Sequence, residues 1–191
     1  MFRINALLVE DNPIDFSLRN LLKEENIAYV QFKYKDVTSL LIKEIRPNII
    51  IFNLNTLSEP TLIDLKKLNA FKALPIIIFC REASSETIEL AIKSDISELF
   101  ITHAKPANIK PIINIAISRF NHQQALRNDL EEALEKLENR KLTDRAKAIL
   151  IRTQNFSEDE AYHTLRKLAM DRKITLGEMA KNVIAMSELF K

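Results

Sequence analysis

The chain has 191 residues, 28 basic and 26 acidic, and no apolar run near the length of about 20 residues that a membrane-spanning helix needs. Its one glycine, Gly177, excludes the phosphate-cradling loops and the nucleophile elbow that depend on several glycines. One cysteine, Cys80, and three scattered histidines, His103, His122 and His163, leave neither a disulfide framework nor an ordinary zinc site. Met1-Phe2-Arg3-Ile4 opens no apolar stretch of the kind that exports a protein, so the expectation is a cytoplasmic chain without metal or cofactor.

Along the first hundred residues, short apolar runs alternate with amphipathic stretches. Ile4 to Val9 reads as a buried strand, and Pro13 suits the start of the helix in which Leu18, Leu21 and Leu22 recur. Ala28 to Tyr34 is a second strand and Val37 to Ile45 a second helix. Asn48 to Asn53 is a third strand, followed by a helix over Thr61 to Phe71. Ile76 to Cys80, Ser85 to Lys93 and Leu99 to Thr102 then read as strand, helix and strand. Five such units predict a five-stranded parallel sheet with helices on both faces, in the flavodoxin-like order. That order sets a crevice where the first and third strands end.

From Pro111 to Thr153 the chain has no turn signal. Ile112, Ile113, Ala116, Ile117 and Phe120 form a face that packs on the sheet. Leu126, Leu130, Ala133 and Leu137 then follow the 4-3-4 spacing of a short coiled-coil seam. A helix of about 43 residues would be about 64 Å long at 1.5 Å per residue, more than one small domain can use. Ser157-Glu158-Asp159-Glu160 and Thr175-Leu176-Gly177-Glu178 are capping boxes. They open two helices that bury Ala161, Leu165, Leu168 and Ala169, then Leu176, Met179, Ala180, Val183 and Ile184. Gly177 falls in a first helical turn and is given no chemistry.

The small net charge of +2 hides a split. Residues 1–121 carry 15 basic and 14 acidic groups, Arg127 to Glu138 two against five, and Arg140 to Lys191 eleven against seven. An acidic spacer thus precedes a mildly basic end, a balance suited to a polyanion.

Glu10 and Asp11 leave the first strand, and Asn53 ends the third. Val9-Glu10-Asp11-Asn12-Pro13 and Pro47 to Asn53 resemble the motifs of the receiver domain of two-component response regulators, over roughly residues 3–121. In that family an acidic pair holds Mg²⁺ and an Asp at the third strand's end accepts a phosphoryl group. Here the acceptor position is Asn53, whose amide is no nucleophile. Cys80 stands where the family has Ser or Thr, and Thr102 where it has Lys, with Lys105-Pro106 three residues late. The resemblance therefore implies a degenerate receiver that is not switched by phosphorylation. For Glu10 and Asp11 two readings stay open, a residual cation site or carboxylates that favour a helix N-terminus. Cys80 alone reads as a small core residue, and His103 and His122 as solvated.

The C-terminal residues are similar to a second family. Ala125-Leu126-Arg127, Leu137 to Lys141, Arg145 to Leu150, Glu160-Ala161-Tyr162 and Leu165 to Met170 occur in the order and spacing of the ANTAR domain. This is a three-helix RNA-binding output of bacterial antiterminators, as in the amide-operon and nitrate-assimilation systems. The resemblance implies three segments: a pseudo-receiver over 1–121, a coiled-coil linker helix over 122–138 and an ANTAR domain over 139–191. It also implies a homodimeric, non-enzymatic antiterminator that binds leader-RNA stem-loops and answers to a small-molecule-sensing partner protein. Arg145, Lys147, Arg166, Lys167, Arg172 and Lys173 would meet phosphates. Tyr162 would stack on a base, although the same ring could simply seal the small core. The rival outputs are a DNA-binding helix-turn-helix, whose recognition helix should begin with polar base readers, and a protein-interaction adaptor without nucleic acid.

Overall fold

A computed structural model of the chain describes residues 4–10, 18–94, 96–103 and 106–189. Asp11, Pro13 and Lys105 lie outside the described residues. The chain packs as two units, Met1–Gln124 and Ala125–Lys191.

In the first unit five parallel strands, β1 (Asn5–Glu10), β2 (Ala28–Phe32), β3 (Ile49–Leu57), β4 (Ile76–Ala83) and β5 (Glu98–Ile101), lie in the order β2-β1-β3-β4-β5. The expected doubly wound sheet is therefore present. Strand alternation sends Leu7, Val9, Ile50, Phe52, Ile76 and Ile78 to one face, where Ile42 of α2 (Ser39–Ile45) and Leu62 and Leu65 of α3 (Glu59–Phe71) cover them. Ala91 of α4 (Ser85–Ile92) joins that layer. Ala6, Leu8, Ile51, Ile77 and Phe79 point the other way. They meet Leu18, Leu21 and Leu22 of α1 (Leu18–Glu24) and the first turns of α5 (Ile109–Gln154) through Ile109, Ile113 and Ala116. Caps fix where the helices start: the hydroxyls of Thr38, Ser58 and Ser84 accept from the backbone N–H of Leu41, Thr61 and Thr87.

Two strands outrun the sequence expectation. β3 continues four residues past Asn53 and β4 three past Cys80, with Thr56 level with Glu82 and Leu57 with Ala83. Leu54 and Leu57 are buried, so the extension is held by apolar contact as well as by the ladder. Asn53 is thus an interior strand residue and not the end of the strand. β2, by contrast, stops at Phe32, and Tyr34–Asp36 turns as a short 3-10 segment.

In the second unit the end of α5 packs with α6 (Glu158–Arg172) and α7 (Leu176–Leu189). Ala146, Leu165, Ala169, Met179, Ala180 and Ile184 are its buried centre, with Leu168, Leu176 and Val183 half-buried at the edge. Small residues at 146, 161, 169 and 180, all nearly fully buried, allow the helices to approach closely. Helix α5 ends where Asn155 takes a left-handed backbone, φ 57°. Both capping boxes form: Ser157 N–H donates to the Glu160 carboxylate, and Thr175 N–H to that of Glu178, each at 2.8 Å. The return bonds come from the N–H of Glu160 and Glu178 to the two hydroxyls. The bonds that the carboxylates accept, from the backbone N–H of Ser157 and Thr175 first and their hydroxyls second, hold both carboxyls below their ordinary range. Every residue from 125 to 138 is exposed.

The altered acidic site and a candidate nucleic-acid interface

Register puts Glu10 beside Asn53, and both are almost fully buried, at 5% and 1% exposure. Burying an isolated carboxylate is costly unless hydrogen bonds replace water. Here the Asn53 Nδ2 amide donates to Glu10 Oε1 at 2.8 Å, and the Leu18 backbone N–H, at the start of α1, donates to the same oxygen at 3.1 Å. Gln31 Nε2 reaches Oε2 at 3.5 Å, and Arg19 Nε lies 3.6 Å from it. The negative charge is met by protein donors from β2, β3 and α1. Arg19 and Gln31 are partners that sequence reading missed, because nothing in their spacing ties them to Glu10.

Cys80 does not join this group. It stands level with Leu54, and its side chain packs among Val9, Phe52 and Leu54 on the opposite face of the sheet. Burial pushes its thiol up to about 11. Strand alternation thus sends the side chains of Cys80 and Asn53 to opposite faces of the sheet, and Cys80 is a residue of the core. Thr102 follows β5 and donates its backbone N–H to the Cys80 carbonyl at 2.9 Å. Among the described residues no group of three His, Cys, Asp or Glu could hold a metal. None of their helices is long and apolar enough to cross a membrane.

The seven C-terminal positions singled out from sequence fall into three settings. On α6, Tyr162, Arg166 and Lys167 share the exposed side with His163 and Met170, and Lys173 follows at the helix end. No ion pair holds Arg166, Lys167 or Lys173 among the described residues. Lys147 is different: its ammonium sits 2.8 Å from Glu158 and 2.9 Å from Asp144, and these carboxylates, Glu158 first, raise it above its ordinary range. It ties α5 to the first turn of α6. Arg145 pairs with Glu188 of α7 at 2.8 Å across an exposed surface, worth at most about 1 kcal/mol. Arg172 lies apart, with Arg152, on the rim of an apolar groove of about 540 Å³ that Leu150, Met179 and Met186 line.

Lys173 holds a left-handed backbone, φ 54°, at the end of α6, where glycine is the residue without steric penalty. Lys173→Gly is therefore expected to raise the thermal midpoint of the second unit by a few degrees, as about 1 kcal/mol of strain is relieved. The same change removes a cation from the α6 surface. A melting curve shows the first effect and an RNA titration the second.

A second cavity, of about 380 Å³, lies between α5 and the starts of α6 and α7. Tyr162, 39% exposed, forms part of its wall with Asn139, Arg140, Asp144, Lys147 and Gly177. A Cβ on Gly177 would fall 2.0 Å from Asn139 Oδ1. The chain's one glycine thus makes room for an amide side chain, a role that its helical position alone concealed.

With this geometry in place, residues 131–184 match the ANTAR domain. Transcriptional regulatory protein PdtaR of Mycobacterium tuberculosis is 24% identical over 181 residues, 94% of this chain and 88% of that protein. The nitrate regulatory protein of Klebsiella oxytoca is 29% identical over 82 residues, 43% of this chain and 21% of its own length. Among solved structures, the signal receiver domain of a modulated diguanylate cyclase from Desulfovibrio desulfuricans superposes with a TM-score of 0.52 at 18% identity, over 62% of this chain and 97% of that one. The BeF3-activated receiver domain of Klebsiella pneumoniae RstA gives 0.50 at 15% identity, over 59% and 97%. At such identities the likeness speaks to fold alone. The chain therefore carries a receiver-type five-stranded α/β fold followed by an ANTAR domain, and the proteins it resembles along its length are regulators.

Proposed function

We propose that the chain is an RNA-binding transcription antiterminator that works in the cytoplasm and catalyses no reaction. In this reading residues 1–121 are a pseudo-receiver, 122–138 a coiled-coil linker and 139–191 the RNA-binding part. The observation that carries it is the outer side of α6 within the ANTAR match, where Tyr162, Arg166, Lys167 and Lys173 lie exposed and, among the described residues, the cations have no ion-pair partner. Cations next to an accessible ring suit the phosphates and unstacked bases of an RNA hairpin. Arg172 extends the positive surface to the neighbouring groove. Arg145 and Lys147 would have to give up Glu188, or Glu158 and Asp144, to reach a phosphate, so they contribute less.

Control would come from a small-molecule-sensing protein that sequesters the chain, since Asn53 offers no nucleophile and lies 1% exposed within a strand that continues four residues past it. Pairing through Leu126, Leu130, Ala133 and Leu137 would present two RNA-binding units at once. A helix-turn-helix reading is weaker, because α7 opens with Leu176, half-buried, and Gly177, buried, where base readers should stand.

The test compares fixed-stem RNA hairpins carrying a randomised loop with duplex DNA of equal length across a salt series. Selective hairpin binding is expected. Equal or tighter DNA binding would favour the DNA-binding output, and binding to neither the adaptor. Arg166→Ala is expected to reduce the salt slope by roughly one phosphate contact, about 0.7–0.9 in the log–log plot. A slope equal to that of the unmodified chain would return Arg166 to the merely solvated surface.

A further inference from the structure

The cavity beside Tyr162 invites a narrower reading. Its walls combine an aromatic side chain, a carboxylate, cations and an amide within one concave space of about 380 Å³, inside the range of about 300–1,000 Å³ typical of small-ligand clefts. Asn139 is half-buried there. Among the described residues its side-chain amide has no hydrogen-bond partner, since Thr143 bonds only its backbone carbonyl, at 2.8 Å. An amide offers an adjacent donor and acceptor, the pattern that pairs with the edge of a nucleobase. Gly177 lets that amide lie against the first turn of α7, and any Cβ at 177 would displace it. A chain that uses glycine once, and uses it here, keeps this space open at a position where alanine would favour the helix.

We propose that this cavity takes one unstacked base of the RNA, its ring laid on Tyr162 and its edge read by the Asn139 amide that Gly177 accommodates. The inference rests on the RNA-binding reading above and adds to it a site of base discrimination, distinct from the phosphate-meeting cations of α6. Asp144 and Lys147, already paired with each other, place both charge signs at the rim. The base therefore meets directional partners and not a uniformly positive surface.

The experiment uses the full chain and the tightest hairpin selected from the randomised-loop pool. Each loop nucleotide is replaced in turn by an abasic one, and affinity is measured. One loop position is expected to cost on the order of tenfold to a hundredfold, the usual scale of a base stacked on an aromatic side chain. Tyr162→Ala and Asn139→Ala are each expected to weaken binding to the intact hairpin and to shrink the penalty at that same position. Arg166→Ala should lower all affinities and leave the penalty as it was. Circular dichroism confirms that the variants are folded, and Gly177→Ala, which adds helix propensity, gives a further variant whose effect does not depend on unfolding. If the chain binds the hairpin yet both wall variants keep the full penalty, the cavity is not the base site, and the RNA-binding reading survives. If no hairpin in the pool is bound, both ideas fall together.

Discussion

Asn53→Asp is expected to destabilise the first unit by about 3–5 kcal/mol at neutral pH, the scale of an uncompensated buried charge. The substitution changes one atom type and no volume, so packing does not enter. It turns the 2.8 Å donor–acceptor contact between Asn53 and Glu10 into two carboxylates sharing a site that is nearly inaccessible to water. At an effective dielectric of about 20, two unit charges at that distance repel by roughly 6 kcal/mol. The pair would avoid most of this by keeping one proton, which raises the folded-state pKa of the pair above the unfolded value of about 4. A group whose pKa is raised on folding retains its stability at pH below the unfolded value and loses it as pH rises through the folded one. The deficit of the variant should therefore be small near pH 4 and widen toward pH 8. Denaturant titrations at several pH values measure it. Glu10→Gln combined with Asn53→Asp restores one carboxylate and one amide, and should recover much of the loss, although Arg19 and the Leu18 N–H then face a neutral oxygen. A pH-independent deficit, or no recovery in the double variant, would mean that the contact does not govern the site.

The sheet order and the alternation of buried positions were legible because parallel strands covered on both faces leave continuous apolar runs, as Ile49 to Phe52 and Ile76 to Phe79 do. Strand ends were not. Polar Asn55, Thr56 and Glu82 carry no apolar signal of a strand, and pairing of β3 with β4 together with burial of Leu54 and Leu57 keeps this stretch extended. Capping boxes read well, since their bonds are local and the residue types at N-cap and N3 suffice. The candidate site was legible in kind and not in arrangement. Six cations and a ring could be picked from composition, but which of them are engaged depends on carboxylates distant in sequence: Glu188 lies 43 residues from Arg145, and Glu158 lies 11 from Lys147. The Asn139–Gly177 approach, a contact between helices, leaves no periodic trace at all.

Leu130→Lys, alone or with Leu137→Lys, is expected to convert a dimer into a monomer at micromolar concentration, as measured by sedimentation. Leu126, Leu130, Leu134 and Leu137 are each half or more exposed, on a stretch where no residue from 125 to 138 is covered. An isolated helix gains little from propensity alone, and four exposed leucines within twelve residues leave apolar surface that a second copy can bury. Full burial of an exposed leucine contributes about 1.5–3 kcal/mol; these side chains are already about half covered, so each would add roughly half of that to association of two copies. Leu134 flanks the 4-3-4 line of Leu126, Leu130, Ala133 and Leu137 and widens it. A lysine in that line would place like charges opposite each other across the two-fold. The consequence for function separates avidity from contact. A single hairpin should bind the lysine variant as tightly as it binds the unmodified chain, because Tyr162 and the α6 cations are untouched. An RNA with two hairpins in tandem should lose on the order of a hundredfold or more, because the second binding event is no longer intramolecular. Equal losses on both RNAs would mean that the seam shapes the RNA-binding unit itself. A variant that stays dimeric would assign the dimer contact elsewhere.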